Sequence, residues 1–502
     1  MRTHHQYRFN RRALLMVTLI ASSNAFAANW QTGAAIRTGG VYSDNVCLQE
    51  DNQESKFIAT ATPEISLSAQ GARASMELVG GLEFNSVANS SLDCSAAGLG
   101  DNKDSPSPRL RFNGSSELLE DWLYFDASAY ADQNKVNAFA AGGNENLDGR
   151  RNTNTTYNYN LSPYISHRLG DVTNVLLRYT FDDQRNTVDL VGDSTSSSAL
   201  FDIGSDASET RFSLGVSANY SKIEYDERAG GRDAFNNELS SARVRTSYQL
   251  NSEWQVNAYA GEEWNDFLSV DDEIEGTFWD VGLLWTPSKR VSFAVGVGDR
   301  YFGVAPRFEV SYRHKRSELR VSYQRDLTYD RNLRTVDQST LSVDQLITQA
   351  IEQVLAGEPI TFAGTPTTIT NSPIVNEQFL LSYSYTGRRT TINLDGGRSE
   401  QKRAQDGRDS TFSNISLSAT RSLSRTLALE SSVSWSDRKT GDFESNVLQR
   451  DSDTWRARIG FDKELGVNTN VLLNYQYSQR NSELAIDEYD ENRLTLTLIY
   501  QF

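Results

Sequence analysis

From Trp30 to the C-terminus, apolar and polar residues alternate in short runs separated by turn-forming residues. Such alternation gives an extended strand one dry face and one wet face. The last run is the clearest: Leu494, Leu496, Leu498, Tyr500 and Phe502 are apolar, with Thr495, Thr497 and Gln501 between them. Val471, Leu473, Tyr475 and Tyr477 form the stripe before it, and Trp455, Ala457, Ile459 and Phe461 the one before that. The rhythm continues backwards through Leu417, Leu381, Val321, Val295 and Val281 to Met76, Leu78, Leu82 and Phe84.

A soluble β-sandwich also alternates, so three further features decide between a sandwich and a barrel. The polar face carries charge repeatedly, at Arg178, Arg243, Arg245, Arg320, Glu430, Arg456, Arg458 and Asp462. Those eight are the predicted lumen-facing charges, because a second packed sheet would have to bury them. Connections also alternate between short turns, such as Gln70-Gly71 and Gly170-Asp171, and longer polar loops such as 89–107, 136–151, 187–207 and 441–452. Finally, Trp122, Trp254 and Trp285 adjoin short turns, whereas Trp264, Trp279, Trp435 and Trp455 approach long loops. Aromatic girdles at two water–lipid boundaries have this distribution.

The pattern predicts an all-β transmembrane antiparallel barrel of about 22 strands (20–24), with short periplasmic turns and long extracellular loops. Around 208–227 the apolar phase shifts between Tyr220 and Ile223. That shift predicts a tight turn between two short strands, with a bulge as the alternative that lowers the count.

The first residues fall outside the pattern. Arg2, Arg8, Arg11 and Arg12 precede a short apolar core at 13–21, and Ala25-Phe26-Ala27 has the small-x-small form of a secretory cleavage site. Residues 1–27 therefore read as a signal peptide and 28–502 as one barrel. No Cys follows the cut, which argues against a lipid anchor. A plug before the first strand would need roughly a hundred residues, and the expectation is that there is none.

Cleavage would remove four Arg and no acid, taking the net charge from −17 to −21. So acidic a chain has no electrostatic reason to hold nucleic acid. A mean hydropathy of −0.54 excludes a bundle of membrane helices, but not a barrel with one lipid-facing side per strand.

Candidate chemistry is sparse. Cys47 and Cys94 are the only cysteines, and in an oxidising compartment they predict a disulfide joining the first two long loops. Only His167 and His314 remain after the signal, beside turns and with no nucleophile arrangement, so no catalytic residue, metal site or cofactor is expected. Acidic runs such as 271–273 and 487–491 lack calcium-loop spacing.

Residues 331–376 break the rhythm. Within them Ser342-Val343-Asp344-Gln345 resembles a capping box, Leu346, Ile347, Ala350, Ile351, Val354 and Leu355 recur at helical spacing, and Gly357 is placed to stop the helix. This helix-bearing loop reads first as a cap on neighbouring loops; a lumen-inserted gate and a partner-binding element are the alternatives.

Several segments in order resemble the outer-membrane β-barrel family associated with the PEP-CTERM system. They are Gly40-Val41-Tyr42-Ser43-Asp44-Asn45-Val46, then 62–67 with Gly71-Ala72-Arg73, 119–127, 161–168, 278–288 and Asp299-Arg300-Tyr301-Phe302-Gly303. The resemblance implies a Gram-negative setting linked to exosortases and exopolysaccharide, and carries over no reaction and no catalytic residue. The cysteine pair and a trimmed hairpin at 219–222 depart from the family pattern.

Together these readings predict a porin-like channel associated with export of exopolysaccharide or sorted surface proteins. The alternative is a non-conducting docking barrel whose outer loops bind those partners; an enzyme is not expected. Lipopolysaccharide would surround the barrel. Tyr500 and Phe502 resemble the terminal aromatic signal read by the outer-membrane assembly machinery.

Overall fold

The computed structural model describes residues 29–502, except 87–93, 95–105, 137–139, 143–146, 149–151, 189–191, 206–210, 227–235, 329–372 and 441–450. The alternating runs become twenty-two antiparallel strands in a single sheet. They run from β1 (Asn29–Ser43), β2 (Lys56–Gln70) and β3 (Ala74–Asn85) through β4 (Ser107–Leu119) to β5 (Leu123–Lys135). Next come β6 (Thr153–Leu169), β7 (Thr173–Asn186), β8 (Ser194–Ser205), β9 (Phe212–Tyr225), β10 (Asn236–Gln249) and β11 (Trp254–Asp266). Then follow β12 (Gly276–Ser288), β13 (Val291–Arg300), β14 (Gly303–His314), β15 (Ser317–Thr328) and β16 (Ile374–Thr386). The last six are β17 (Thr390–Arg403), β18 (Asp409–Ser422), β19 (Leu427–Thr440), β20 (Ser452–Glu464), β21 (Thr469–Ser482) and β22 (Tyr489–Gln501).

Each strand pairs with its sequence neighbours, and β22 returns to pair with β1 from Ala35↔Gln501 to Ser43↔Arg493. The sheet therefore closes on itself and leaves no edge. Directly opposed residues share a face, so the register assigns every side chain to the inside or the outside. The outer face is apolar: Leu417 opposes Val433 and Leu473 opposes Leu496, and all four are exposed. So continuous an exposed apolar surface is foreign to a soluble monomer.

Two sequence readings are corrected, and they compensate in the count. Within the predicted segment 208–227, residues 212–225 hold no turn and no bulge, because β9 pairs without a register shift from Phe212 to Tyr225. Its phase change has another cause. Towards the long-loop end the outward positions become Lys222 and Glu224, while inward Ile223 and Tyr225 are buried at the mouth. The missing strand is β8, inside the segment 187–207 read as a loop; its serines 194 and 196–198 hide an apolar stripe reduced to Ala199, Phe201 and Ile203.

One end of the barrel carries short turns and the other the longer connections, with one exception. At the long-loop end β13 and β14 are joined by Tyr301 and Phe302 alone. Strand β16 begins at Ile374, inside the predicted loop 331–376. The predicted signal segment and the helix predicted at 342–357 lie outside the described residues.

Candidate lumen site

The eight charges expected to face the lumen all lie on the inward face in the register: Arg178 opposes Tyr164, Arg243 Gly261, Arg245 Tyr259 and Arg320 Ser311. Glu430 opposes Gly460, Arg456 Ser478, Arg458 Gln476 and Asp462 Leu472. What they do there differs from one wall to the other.

Along β5–β14 arginines bridge strands. Arg178 on β7 donates to Asp126 on β5 at 2.8 Å, and on the way its Nε donates to Ser162 on β6 at 2.6 Å. Arg245 on β10 makes a two-point contact with Asp202 on β8, one arm at 2.8 Å. Arg307 on β14 does the same to Asp280 on β12, at 3.0 and 2.5 Å. In the last two cases the strand between presents glycine. A Cβ on Gly215 would lie 2.7 Å from the Arg245 guanidinium carbon, and one on Gly296 would stand equally close to Arg307. The bare backbone lets a planar cation lie flat on the wall and meet a carboxylate in fork geometry.

Arg300 near the long-loop end is held twice, by Glu263 and Asp326 at 2.6 Å each, and it lies over the rings of Phe278 and Phe302. Arg243 lies over the Tyr259 ring and donates to Ser217. Leu176 is fully buried on this wall, beside Tyr164 and Leu200. The sequence reading missed these inward apolar residues, because single Leu residues among polar ones carry no periodic signal.

On the other wall, β16–β21 present hydroxyls and amides inward, among them Ser382, Asn393, Ser416, Ser432 and Ser434. Arg458 there donates Nε and Nη2 to the Asn474 amide oxygen at 3.2 and 2.9 Å. Arg320, nearer β14, stands 3.7 Å from Glu309 and 3.5 Å from Glu318.

At the long-loop end two connections lean over the mouth. The Ala141 amide donates to Asp487 at 3.0 Å, tying the β5–β6 loop to the β21–β22 loop. The Val270 amide donates to the Ala404 carbonyl at 2.8 Å, tying the β11–β12 loop to the β17–β18 loop. Small apolar clusters support both ties: Leu48, Ala141 and Tyr489 under the first, Phe267, Leu327 and Ala404 under the second. Cys47 and Cys94 form a disulfide between the β1–β2 and β3–β4 loops, with Leu147 packed into the same cluster. Burial pushes the Tyr301 phenol up, next to Glu263.

The two histidines sit apart from all of this. His167 faces outward near the short-turn end, stacked on Trp122 at 3.7 Å, with a ring nitrogen 2.9 Å from the Asp121 carbonyl. His314 ends β14 and stacks with Tyr312. Tyr500 is exposed outward and Phe502, 76% exposed, caps the same stripe while its amide donates to Ala34 on β1.

Solved structures share this architecture. The siderophore receptor PirA from Acinetobacter baumannii superposes with a TM-score of 0.53 at 9% identity, over 94% of this chain and 80% of its own. The ferric enterobactin receptor PfeA from Pseudomonas aeruginosa gives 0.55 at 10% identity, over 94% and 81%. The FrpB iron transporter from Neisseria meningitidis gives 0.55 at 11% identity, over the same shares. The chain has the siderophore-receptor barrel fold. No protein-family profile and no curated protein sequence matches it. At such identities the siderophore-receptor barrel fixes the shape of this chain and leaves the chemistry to its own lumen.

Proposed function

We propose that this chain is an outer-membrane channel of Gram-negative bacteria, porin-like in mechanism and without enzymatic chemistry of its own. The observation that carries the reading is the contrast between its two faces. The outside is an apolar surface with exposed Trp30, Trp122, Trp264, Trp279 and Trp455, and the inside is lined by charge, hydroxyl and amide. Lipid satisfies the first and water the second. In this reading the signal is cleaved after Ala27, the short turns face the periplasm, and lipopolysaccharide packs around the long-loop end.

The cargo reading, exopolysaccharide or sorted surface proteins, rests on the resemblance to the PEP-CTERM-associated barrels. Reconstituted into planar bilayers, the mature chain is expected to give discrete conductance steps. Silence there, together with no swelling of liposomes, overturns the channel. A deletion strain with unchanged surface polysaccharide and surface proteins overturns the cargo.

A docking barrel is the second reading, and the two loop ties across the mouth favour it. It predicts that breaking the ties, as in Asp487→Ala, leaves conductance absent while weakening capture of polysaccharide by whole cells.

A further inference from the structure

Two groups of lumen arginines contrast among the described residues. Arg178, Arg245, Arg300 and Arg307 are each matched by a carboxylate on a strand two away. Arg456 and Arg458, alternate residues of β20, have no carboxylate partner. Their inward neighbours in the register are Ser432 and Ser434 on one side, Gln476 and Ser478 on the other.

Arg458 is held differently from the bridging arginines: its partner lies on the adjacent strand β21, and that partner is an amide instead of a carboxylate. Gly460 leaves the wall bare, and a Cβ there would strike the Asn474 side-chain oxygen. Asn474 crosses that gap, and its single amide oxygen accepts both Nε and Nη2. In the bridges of Arg245 and Arg307 the acceptor is an aspartate, which fixes the guanidinium and cancels its charge. Here a neutral amide fixes it and leaves the charge whole. Nη1 stays free as a donor, and the Arg458 side chain is exposed on the lumen side.

From this geometry we infer that Arg456 and Arg458 form an anion-binding step in the lumen, for solutes bearing phosphate, sulfate or carboxylate groups. Two cations on alternate residues of one strand face stand about 6.8 Å apart, a spacing that suits successive anionic groups of one solute. The serine hydroxyls and the Gln476 amide beside them supply neutral donors, and the inward Glu430, one step along opposite Gly460, makes no ion pair with either arginine. The inference rests on the channel reading, and its test separates the two.

The test uses the full mature barrel in planar bilayers across a KCl gradient. Asn474→Asp keeps side-chain volume and supplies the missing charge, so the reversal potential is expected to shift towards cation preference. The double variant Arg456→Gln/Arg458→Gln is expected to shift it the same way. An unchanged reversal potential in both variants overturns the inference while leaving the channel standing.

A barrel that does not conduct at all overturns the channel reading, and the site is then read by calorimetry with inorganic pyrophosphate at low salt. Asn474→Asp is expected to weaken pyrophosphate binding about tenfold, the worth of one charge-assisted hydrogen bond. Absent binding, or equal binding by both proteins, overturns the site.

Discussion

The inward arginines show how a single residue can serve either stability or passage, depending on what faces it. Arg178 and Asp126 are both nearly excluded from solvent. Removing one partner of a buried pair strands the other's charge, at a cost of about 3–5 kcal/mol. Asp126→Ala should therefore lower stability by roughly 3 kcal/mol, read as a lower urea midpoint in detergent micelles, whereas Asp395→Ala on the hydroxyl-rich wall should be near neutral. In the β17–β18 loop, Asp406 accepts from Arg403 at 2.8 and 2.6 Å. Burial works to raise its carboxyl, but the hydrogen bonds and charges of Arg403 and Arg408 outweigh this and hold it below the usual range. A depressed carboxylate contributes while pH stays above its unfolded value, and the contribution is lost as pH falls through the folded one. Acidification below about pH 4 should thus lower the protection of the Gly407 amide, its exchange measured against the intrinsic rate at the same pH; that amide donates to the Arg403 carbonyl. Asp406→Asn should show the same loss of protection at neutral pH. Alternation alone gave the direction of all eight charged candidates; their partners stayed hidden, because Asp126 and Arg178 lie 52 residues apart.

Strands were legible where lipid and water impose opposite demands, and illegible where those demands lapse. Within the apolar band each outward residue must be greasy, so Leu417 and Val433 announce themselves. Beyond the band the outside is wet, and β9 reverses its pattern at Lys222 and Ile223 without changing its geometry. Serine-rich β8 escapes detection for a related reason: small polar side chains are tolerated outward near the loops, and they blur the stripe. With lipid on one face and water on the other, the same charge has opposite costs at neighbouring residues. Leu417→Arg should cost about 2–4 kcal/mol, as for a cation near the bilayer midplane. Ser418→Arg, one residue on and inward, should cost little. Equal losses of heat-resistant migration in gels would contradict the assignment.

For the whole molecule, closure depends on the last strand. Phe502 anchors through its amide to Ala34 and continues the Leu494–Tyr500 stripe outward. Deleting Phe502 should reduce the amount of folded barrel recovered from outer membranes several-fold, with unitary conductance of the remaining molecules unchanged. A conductance change at normal yield would point instead to a role in passage. Lipid forces one stripe per crossing, yet the total of strands agrees only because the missed β8 and the false hairpin at β9 cancel; the tied loops were not readable, since the Val270–Ala404 contact obeys no period.

The seam between β1 and β22 also sets a timetable. Ser43 meets Arg493, so the strand made first waits for the strand made last. Throughout that wait β1 carries an edge of unpaired amides and carbonyls able to template pairing with any passing chain. A barrel built this way is safest when nothing is left to chance in transit. Its growing rim has to be held by other molecules until the final residues arrive, and a mutant slow to deliver β22 would be lost to aggregation before it was ever unstable.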